Sequence, residues 1–188
     1  MVSAMRFDPA KYGEAVEAIL ALDGSGQRLM PLVCGACSSG QARTRLLAAG
    51  TEALFPRARA AGAAMAGLWL YFSCFEESHR LSQEIGTPEG SFWHGILHRR
   101  EPDPGNAAYW FRRVGRHPVF GPLGEEAAKL AARNQAAGFA PGSRWDPFAF
   151  IDFCEAARSQ PGSPAERLAL QVQLVEWQLL FDYCARPE

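Results

Sequence analysis

Five positions in this chain of 188 residues place a helix-capping side chain directly before a proline. They are Asp8-Pro9, Thr87-Pro88, Asp103-Pro104, Asp146-Pro147 and Ser163-Pro164. The capping oxygen can accept a hydrogen bond from the first helical turn, and proline suits the first helical position because no donor is needed there. Glu166 adds capping-box spacing at the last pair. This repeated pattern of helix starts predicts an all-α fold.

Length and composition predict one domain over residues 1–188. A hydrophobic content of 48% is enough for a core that needs neither disulfides nor a metal. The longest uncharged run, residues 60–75, is shorter than the roughly 20 residues of a membrane span. We therefore expect no membrane partner. The run should instead form the middle of a long central helix, about residues 56–85, with the other helices of a bundle packed around it.

The charge balance bears on partners and location. A net charge of -1 and a pI near 6.4 argue against nucleic-acid binding, which depends on a basic surface. Residues 1–22 contain acidic side chains where a signal peptide needs an unbroken apolar run. We therefore expect a cytoplasmic protein with no nucleic-acid partner.

The chain has five cysteines. Cys74, Cys154 and Cys184 stand alone in apolar surroundings and are expected to be inert, reduced thiols. Cys34 and Cys37 have the spacing of a redox pair, but the flanking residues lack the strand and helix context of such motifs. The sequence does not decide whether this pair has a redox role.

Residues 91–120 concentrate the side chains capable of chemistry. Three of the four histidines, five arginines and six aromatic residues lie within these thirty positions. Two helices are predicted here, one beginning at Pro88 and one running from Pro104 to Val114, where Gly115 and Pro118 end it. We expect a polar pocket between residues 68–83 and residues 91–117.

Two histidine patterns predict a metal site in this pocket. His94 and His98 lie four positions apart, so their imidazoles share one face of a helix. Glu76 and His79 have the Glu-x-x-His spacing found in metal-binding helix bundles. These four side chains are the predicted ligands, and imidazole with carboxylate favours zinc or iron. The alternative is that Glu76 pairs with Arg80 while the histidines are buried and bonded to backbone or carboxylates.

The remaining site candidates follow from residue chemistry. His94, His98 and Glu77 are the predicted acid and base groups. The predicted substrate-binding residues are Arg99, Arg100, Asn106, Tyr109, Arg113 and His117. Guanidinium groups beside aromatic rings suit an anionic or polyhydroxylated ligand. Alternatively, the arginines pair with Glu101 and Asp103 and only fasten the loop. Because 17 of the 19 basic residues are arginine, any argument from a single arginine is weakened.

Several runs of this sequence are distinctive. They are WHGILHRREPD, NAAYWFRRVGRHP, CFEESHRLSQEIGTPEG and WDPFAFIDFC. With these runs the chain resembles a family of uncharacterised, mostly bacterial proteins over about residues 55–188. The resemblance implies no reaction, cofactor or site residue, so the expected roles rest on residue chemistry alone.

Two classes of function fit these residues. The first is a small cytoplasmic enzyme with a His/Glu/Arg pocket, with or without a metal, acting on an anionic or polyhydroxylated small molecule. The second is a non-catalytic ligand-binding or protein-interaction module that uses the same arginine and aromatic surface. A pocket between the two predicted segments favours the enzyme, whereas a convex, exposed surface favours the module.

Overall fold

The computed structural model describes residues 7–142 and 144–187. Over these residues it contains ten α-helices and no strand, which confirms the all-α prediction. The helices are α1 (Glu14–Leu20), α2 (Gly40–Ala49), α3 (Thr51–Leu54), α4 (Ala61–Tyr71), α5 (Phe75–Glu84), α6 (Pro88–Arg100), α7 (Pro104–Val114), α8 (Phe120–Arg133), α9 (Pro147–Arg158) and α10 (Pro164–Ala185). One connected hydrophobic core draws on residues from Phe7 to Ala185, so the described chain forms one domain.

All five capping residues begin helical segments. Four of them accept hydrogen bonds from backbone N–H groups of the first turn, namely Asp8, Asp103, Asp146 and Ser163. Thr87 has the extended backbone of a cap, but its side chain makes no capping bond. Each proline lies at the start of its helical segment, as its missing N–H group allows.

The predicted long helix over about residues 56–85 is wrong, because it is two helices, α4 and α5. The break lies at Ser73, whose φ of +57° is the left-handed conformation that ends many helices. Its N–H group donates to Leu70 O at 3.1 Å, and the next N–H group, of Cys74, donates to Trp69 O at 2.9 Å. These bonds form a Schellman motif with serine at the position usually held by glycine, so no local sequence pattern marks the end of α4.

The two helices fold back on each other. Ser78 Oγ in α5 donates to the carbonyl oxygen of Ala66 in α4 at 3.0 Å, twelve residues earlier in the chain. At the far end, a Cβ on Gly62 would lie 3.4 Å from Ile85. An antiparallel helical hairpin therefore replaces the expected single rod and turns α5 towards α6.

Helix α6 lies at the centre of the molecule and packs against α4, α5 and α7. Two glycines allow these close approaches. A Cβ on Gly67 would lie 2.6 Å from the Trp93 ring, and a Cβ on Gly95 would lie 2.9 Å from the Phe111 ring. Helix α10 covers another side and packs against α4, α8 and α9.

The segment before α2 crosses the carboxyl ends of two helices. Cys34 N–H donates to Arg100 O at the end of α6, and Ser38 N–H donates to Phe72 O beyond α4, both at 2.7 Å. Between them, Cys37 forms a disulfide with Cys74, and their Cα atoms are 4.5 Å apart. The expectation that Cys74 is a free, inert thiol is therefore wrong, because the turn after α4 brings it to this segment.

None of the helices in the described residues combines the length and apolar character needed to cross a membrane. Residues 60–75 instead include the whole of α4 and the turn that follows it, and most of them are buried.

Candidate functional site

Three histidines converge where α5 packs against α6. His79 lies on α5 and His94 and His98 on α6, and one ring nitrogen from each lies within 4.8 Å of the other two. The ring centroids are 4.5 Å apart for His79 and His94, and 4.8 Å apart for His94 and His98. The four-residue spacing aligns the α6 pair, and the short turn after α5 brings in the third imidazole. We call these residues the histidine cluster.

Polar side chains lie beside two rings of the cluster. Ser82 Oγ donates to His79 O at 3.2 Å and lies 3.3 Å from His94 Nδ1. Because the hydroxyl proton is committed, His94 Nδ1 acts as the donor to Ser82 Oγ, and Nε2 keeps its lone pair. His98 Nδ1 lies 3.0 Å from Glu101 Oε2, but the two groups are not aligned as a hydrogen bond. Hydroxyl partners of this kind orient the histidine ligands of metal sites.

The environment keeps the α6 imidazoles neutral. Burial, reinforced by the neighbouring His79 and His98, lowers the pKa of His94 to about 3. Burial also lowers the pKa of His98, although Glu101 opposes this effect. Neutral imidazole is the form that binds a metal, so these ligands need to lose no proton near pH 7.

The geometry is close to that of a metal site. Zinc bound tetrahedrally at 2.0–2.1 Å from each nitrogen requires nitrogen separations of about 3.3 Å. The ligand atoms here spread to 4.8 Å, so the widest nitrogen separation would have to shorten by roughly 1.5 Å on binding. Among the described residues no other histidine, cysteine or carboxylate joins the group. An ion held here would keep an open coordination position, as catalytic rather than structural zinc does.

Glu76, the fourth predicted ligand, does not belong to the cluster. It is exposed in the first turn of α5, one helical turn before His79. Glu77, predicted as an acid or base, is also elsewhere, because two positions along a helix rotate a side chain by roughly 200°. Its carboxylate is buried and accepts a hydrogen bond from Arg43 Nε at 2.5 Å. The structure therefore brings neither glutamate to the histidine cluster.

Trp110 forms one wall of the cluster. Its ring stacks on His94 with a centroid distance of 4.0 Å and an interplanar angle of 21°. The guanidinium carbon of Arg113 lies 5.2 Å from the Trp110 ring, and Arg113 Nη1 donates to Tyr109 Oη at 3.4 Å. Two predicted substrate-binding residues, Tyr109 and Arg113, thus lie beside this wall, although both are exposed. Trp110 was not among the predicted site residues, but its position three residues before Arg113 was an available signal.

Arg99 and Arg100, both predicted to bind substrate, are instead bonded to other parts of the fold. Both are fully buried. The guanidinium of Arg99 donates to both carboxylate oxygens of Glu176 on α10. Arg100 donates to three acceptors, namely Pro31 O, Leu70 O and Ser73 Oγ. Burial lowers the pKa of Arg100 to about 9, which still leaves it charged at neutral pH and able to cap the carboxyl end of α4.

Asn106 and His117 do not reach the cluster either. Asn106 is exposed and donates through its amide to Asp103 Oδ2 at 2.7 Å, at the start of α7. His117 is buried beyond the end of α7, where Nδ1 accepts the Val119 N–H at 3.2 Å. Its Nε2 lies 3.5 Å from Glu89. The alternative pairing of arginines with Glu101 and Asp103 is not found among the described residues either.

No protein-family model, curated protein sequence or solved structure matches the chain.

Proposed function

We propose that the chain is a small metal-assisted enzyme in which His79, His94 and His98 bind one divalent ion. The convergence of three ring nitrogens within 4.8 Å carries this proposal. Zinc is favoured over iron because non-haem iron sites of the common facial type include a carboxylate ligand, and Glu76 and Glu77 lie outside the cluster. Three-histidine zinc sites are a known catalytic type.

The chemistry follows from the open coordination position. A zinc-bound water has a pKa near 7 and supplies hydroxide at neutral pH, which suits attack on a carbonyl or phosphoryl centre. Neutral imidazole ligands leave both positive charges of the ion uncompensated, and Arg113 adds a third beside Trp110. An anionic substrate is therefore favoured, with the exposed Tyr109 hydroxyl able to bond a substrate oxygen or hydroxyl.

The alternative function is a non-catalytic ligand-binding or interaction module. One observation favours it, which is that Tyr109 is 48% exposed and Arg113 is exposed beside it. The two functions differ in turnover. Zinc-loaded protein should hydrolyse members of a panel of anionic esters and phosphate esters if it is an enzyme, whereas a binding module should leave every member intact.

The proposed location is the cytoplasm. Disulfides persist mainly in oxidising compartments, so the bond between Cys37 and Cys74 counts against this part of the proposal. Membership of the family of mostly bacterial proteins that the chain resembles is likewise a proposal. Neither point alters the chemistry of the histidine cluster.

The metal proposal is tested by calorimetric titration of metal-free protein with zinc. Wild type should bind about one equivalent, and His94→Ala with His98→Ala should abolish binding because two of three ligands are lost. Glu76→Gln is the matched control and should still bind one equivalent, since Glu76 lies outside the cluster. His79→Asn provides a variant at a half-buried position, and circular dichroism checks that each protein is folded. Undiminished binding by the double variant, or no binding by wild type, would refute the proposal.

A further inference from the structure

A cavity lies away from the histidine cluster. It is a groove of about 1230 Å³ between the carboxyl end of α7, the first half of α8 and the start of α9. None of His79, His94 and His98 lines it. On α7, Trp110 stacks on His94, whereas the next two residues, Phe111 and Arg112, line the groove. We call it the arginine groove.

The groove is lined by cations that lack partners. Arg112, Arg116 and Arg144 are exposed along it. None of the three takes part in an ion pair within the described part of the chain. Two carboxylates also line the groove, on Glu125 and Asp146. Asp146 is committed to the N-terminus of α9, where it accepts the N–H groups of Phe148 and Ala149.

Trp145 also lines the groove, but its Nε1 is fully covered and has no hydrogen-bond partner among the described residues. The three guanidinium groups are therefore the donors that a ligand in the groove can reach, and they offer no acceptor.

Aromatic side chains also line the groove, beside Glu125, Asp146 and His117. Phe111, Phe120 and the ring of Trp145 line the groove, and Arg112 lies over the Phe148 ring with its guanidinium carbon 5.8 Å from the ring centre. Of these rings, Phe148 is 38% exposed and Phe120 is half-buried, so an inorganic anion would use the arginines and leave both in water. A neutral hydrocarbon would cover the rings and leave the donors unpaired. Only a ligand with both parts satisfies the whole surface.

We infer that the arginine groove binds a small amphipathic anion, with a carboxylate or phosphate head on an apolar body. The head is held by Arg112, Arg116 and Arg144, because guanidinium groups bond both kinds of oxyanion through paired N–H donors. The apolar body lies along the aromatic residues. The groove is independent of the metal, so its occupancy should not depend on the histidine cluster.

The test uses anilinonaphthalene sulfonate, a fluorescent anion with an apolar body, as the probe. Its fluorescence should rise on binding, and decanoate should displace it. Decanol and decyltrimethylammonium should displace it at least about tenfold less well, because they have the same tail without the negative charge. Decyl phosphate is the second acidic arm, and the preferred head group is the one that displaces the probe at lower concentration.

Variants assign the binding to the groove. Arg112→Gln with Arg116→Gln should weaken decanoate binding by about tenfold or more, since two charge-assisted contacts are removed. Arg45→Gln with Arg133→Gln is the matched control, because both arginines are exposed and neither lines the groove.

Three outcomes would overturn the inference. They are equal displacement by decanol and by the cationic amphiphile, equal weakening in the groove and control variants, and no displacement by either acidic amphiphile. Protein carrying His94→Ala and His98→Ala should still bind decanoate. Loss of binding in that folded variant would show that the groove is not independent of the cluster. Near-ultraviolet circular dichroism of each variant separates lost binding from lost folding.

Discussion

At the scale of single residues, the pair formed by Arg99 and Glu176 has the largest energetic consequence. Both side chains are almost completely buried, and the pair joins α6 to α10 across 77 positions of sequence. Burial disfavours the charge on Arg99, but the Glu176 carboxylate outweighs this effect and raises the pKa of Arg99. Such a pair contributes little compared with apolar residues of the same volume, whereas losing one partner leaves a buried charge alone.

We therefore predict opposite behaviour for single and double substitutions. Glu176→Leu should lower the free energy of unfolding by about 3–5 kcal/mol, and adding Arg99→Met should restore most of that loss. Urea denaturation monitored by circular dichroism measures both. Lys129→Ala is the control, because its pair with Glu126 is at the surface and its side chain is 42% exposed. A double variant no more stable than Glu176→Leu would contradict this account.

At the scale of helices, the contact between α6 and α7 depends on the absence of a side chain at Gly95. Its backbone approaches the Phe111 ring so closely that an added Cβ would lie 2.9 Å from the ring. Phe111 is buried and its ring also packs edge-on against Phe92 of α6. The ring therefore has little room to move away, and the spacing of the two helices is fixed at this point.

Gly95→Ala should therefore destabilise the protein although alanine is the better helix former. We expect a loss of about 1–3 kcal/mol from overpacking, measured as a lower urea midpoint. Gly121→Ala in α8 is the matched control, because no atom lies within 4 Å of the Cβ it would add. That variant should be neutral or gain up to about 1 kcal/mol from helix propensity. Equal effects at the two glycines would rule out packing as the cause.

The elements were predictable where their signal was local. Asp103 and Pro104 are adjacent, so the start of α7 could be predicted from the sequence, and Gly115 gave its end. The break after α4 could not be predicted, since Ser73 adopts a conformation that sequence patterns assign to glycine. Its Oγ accepts a hydrogen bond from Arg100, 27 residues later, and no local pattern reports such a partner.

The same distinction applies to the site. The pairing of His94 with His98 follows from helical periodicity, which is a property of neighbouring residues. The roles of Arg99 and Arg100 depend on Glu176, Pro31 and Leu70, and these lie between 30 and 77 positions away. In a chain rich in arginine, sequence patterns do not distinguish a buried guanidinium from an exposed one.

At the scale of the whole molecule, buried neutral histidines make stability depend on pH. The pKa of His94 is about 3 in the folded protein, against an ordinary value of 6.5. Burial lowers the pKa of His98 and of His117 as well. Above pH 6.5 these groups are neutral in both states and stability is unaffected. Below pH 6.5, these histidines bind protons in the unfolded chain but stay neutral in the folded protein, so the free energy of unfolding falls as the pH falls.

Metal-free protein should therefore lose stability on acidification well before its carboxylates titrate. We expect each such histidine to cost up to about 1.4 kcal/mol per pH unit below pH 6.5. Urea midpoints measured between about pH 7.5 and about pH 5.5 test this, because most carboxylates stay ionised in that window. His94→Gln removes one titrating group and should give a shallower decline. An identical decline in the variant would mean that His94 titrates normally.

The segment that crosses the ends of α4 and α6 also bears on the order of folding. The N–H groups of Cys34 and Ser38 bond to carbonyl oxygens of Arg100 and Phe72, which are free only because those helices end there. Helices α4 to α7 are consecutive and contact one another, so they can assemble through short-range contacts. We expect the chain before α2 to dock last, onto acceptors that the assembled helices have already formed. The amino-terminal part of the molecule would then be the last to fold.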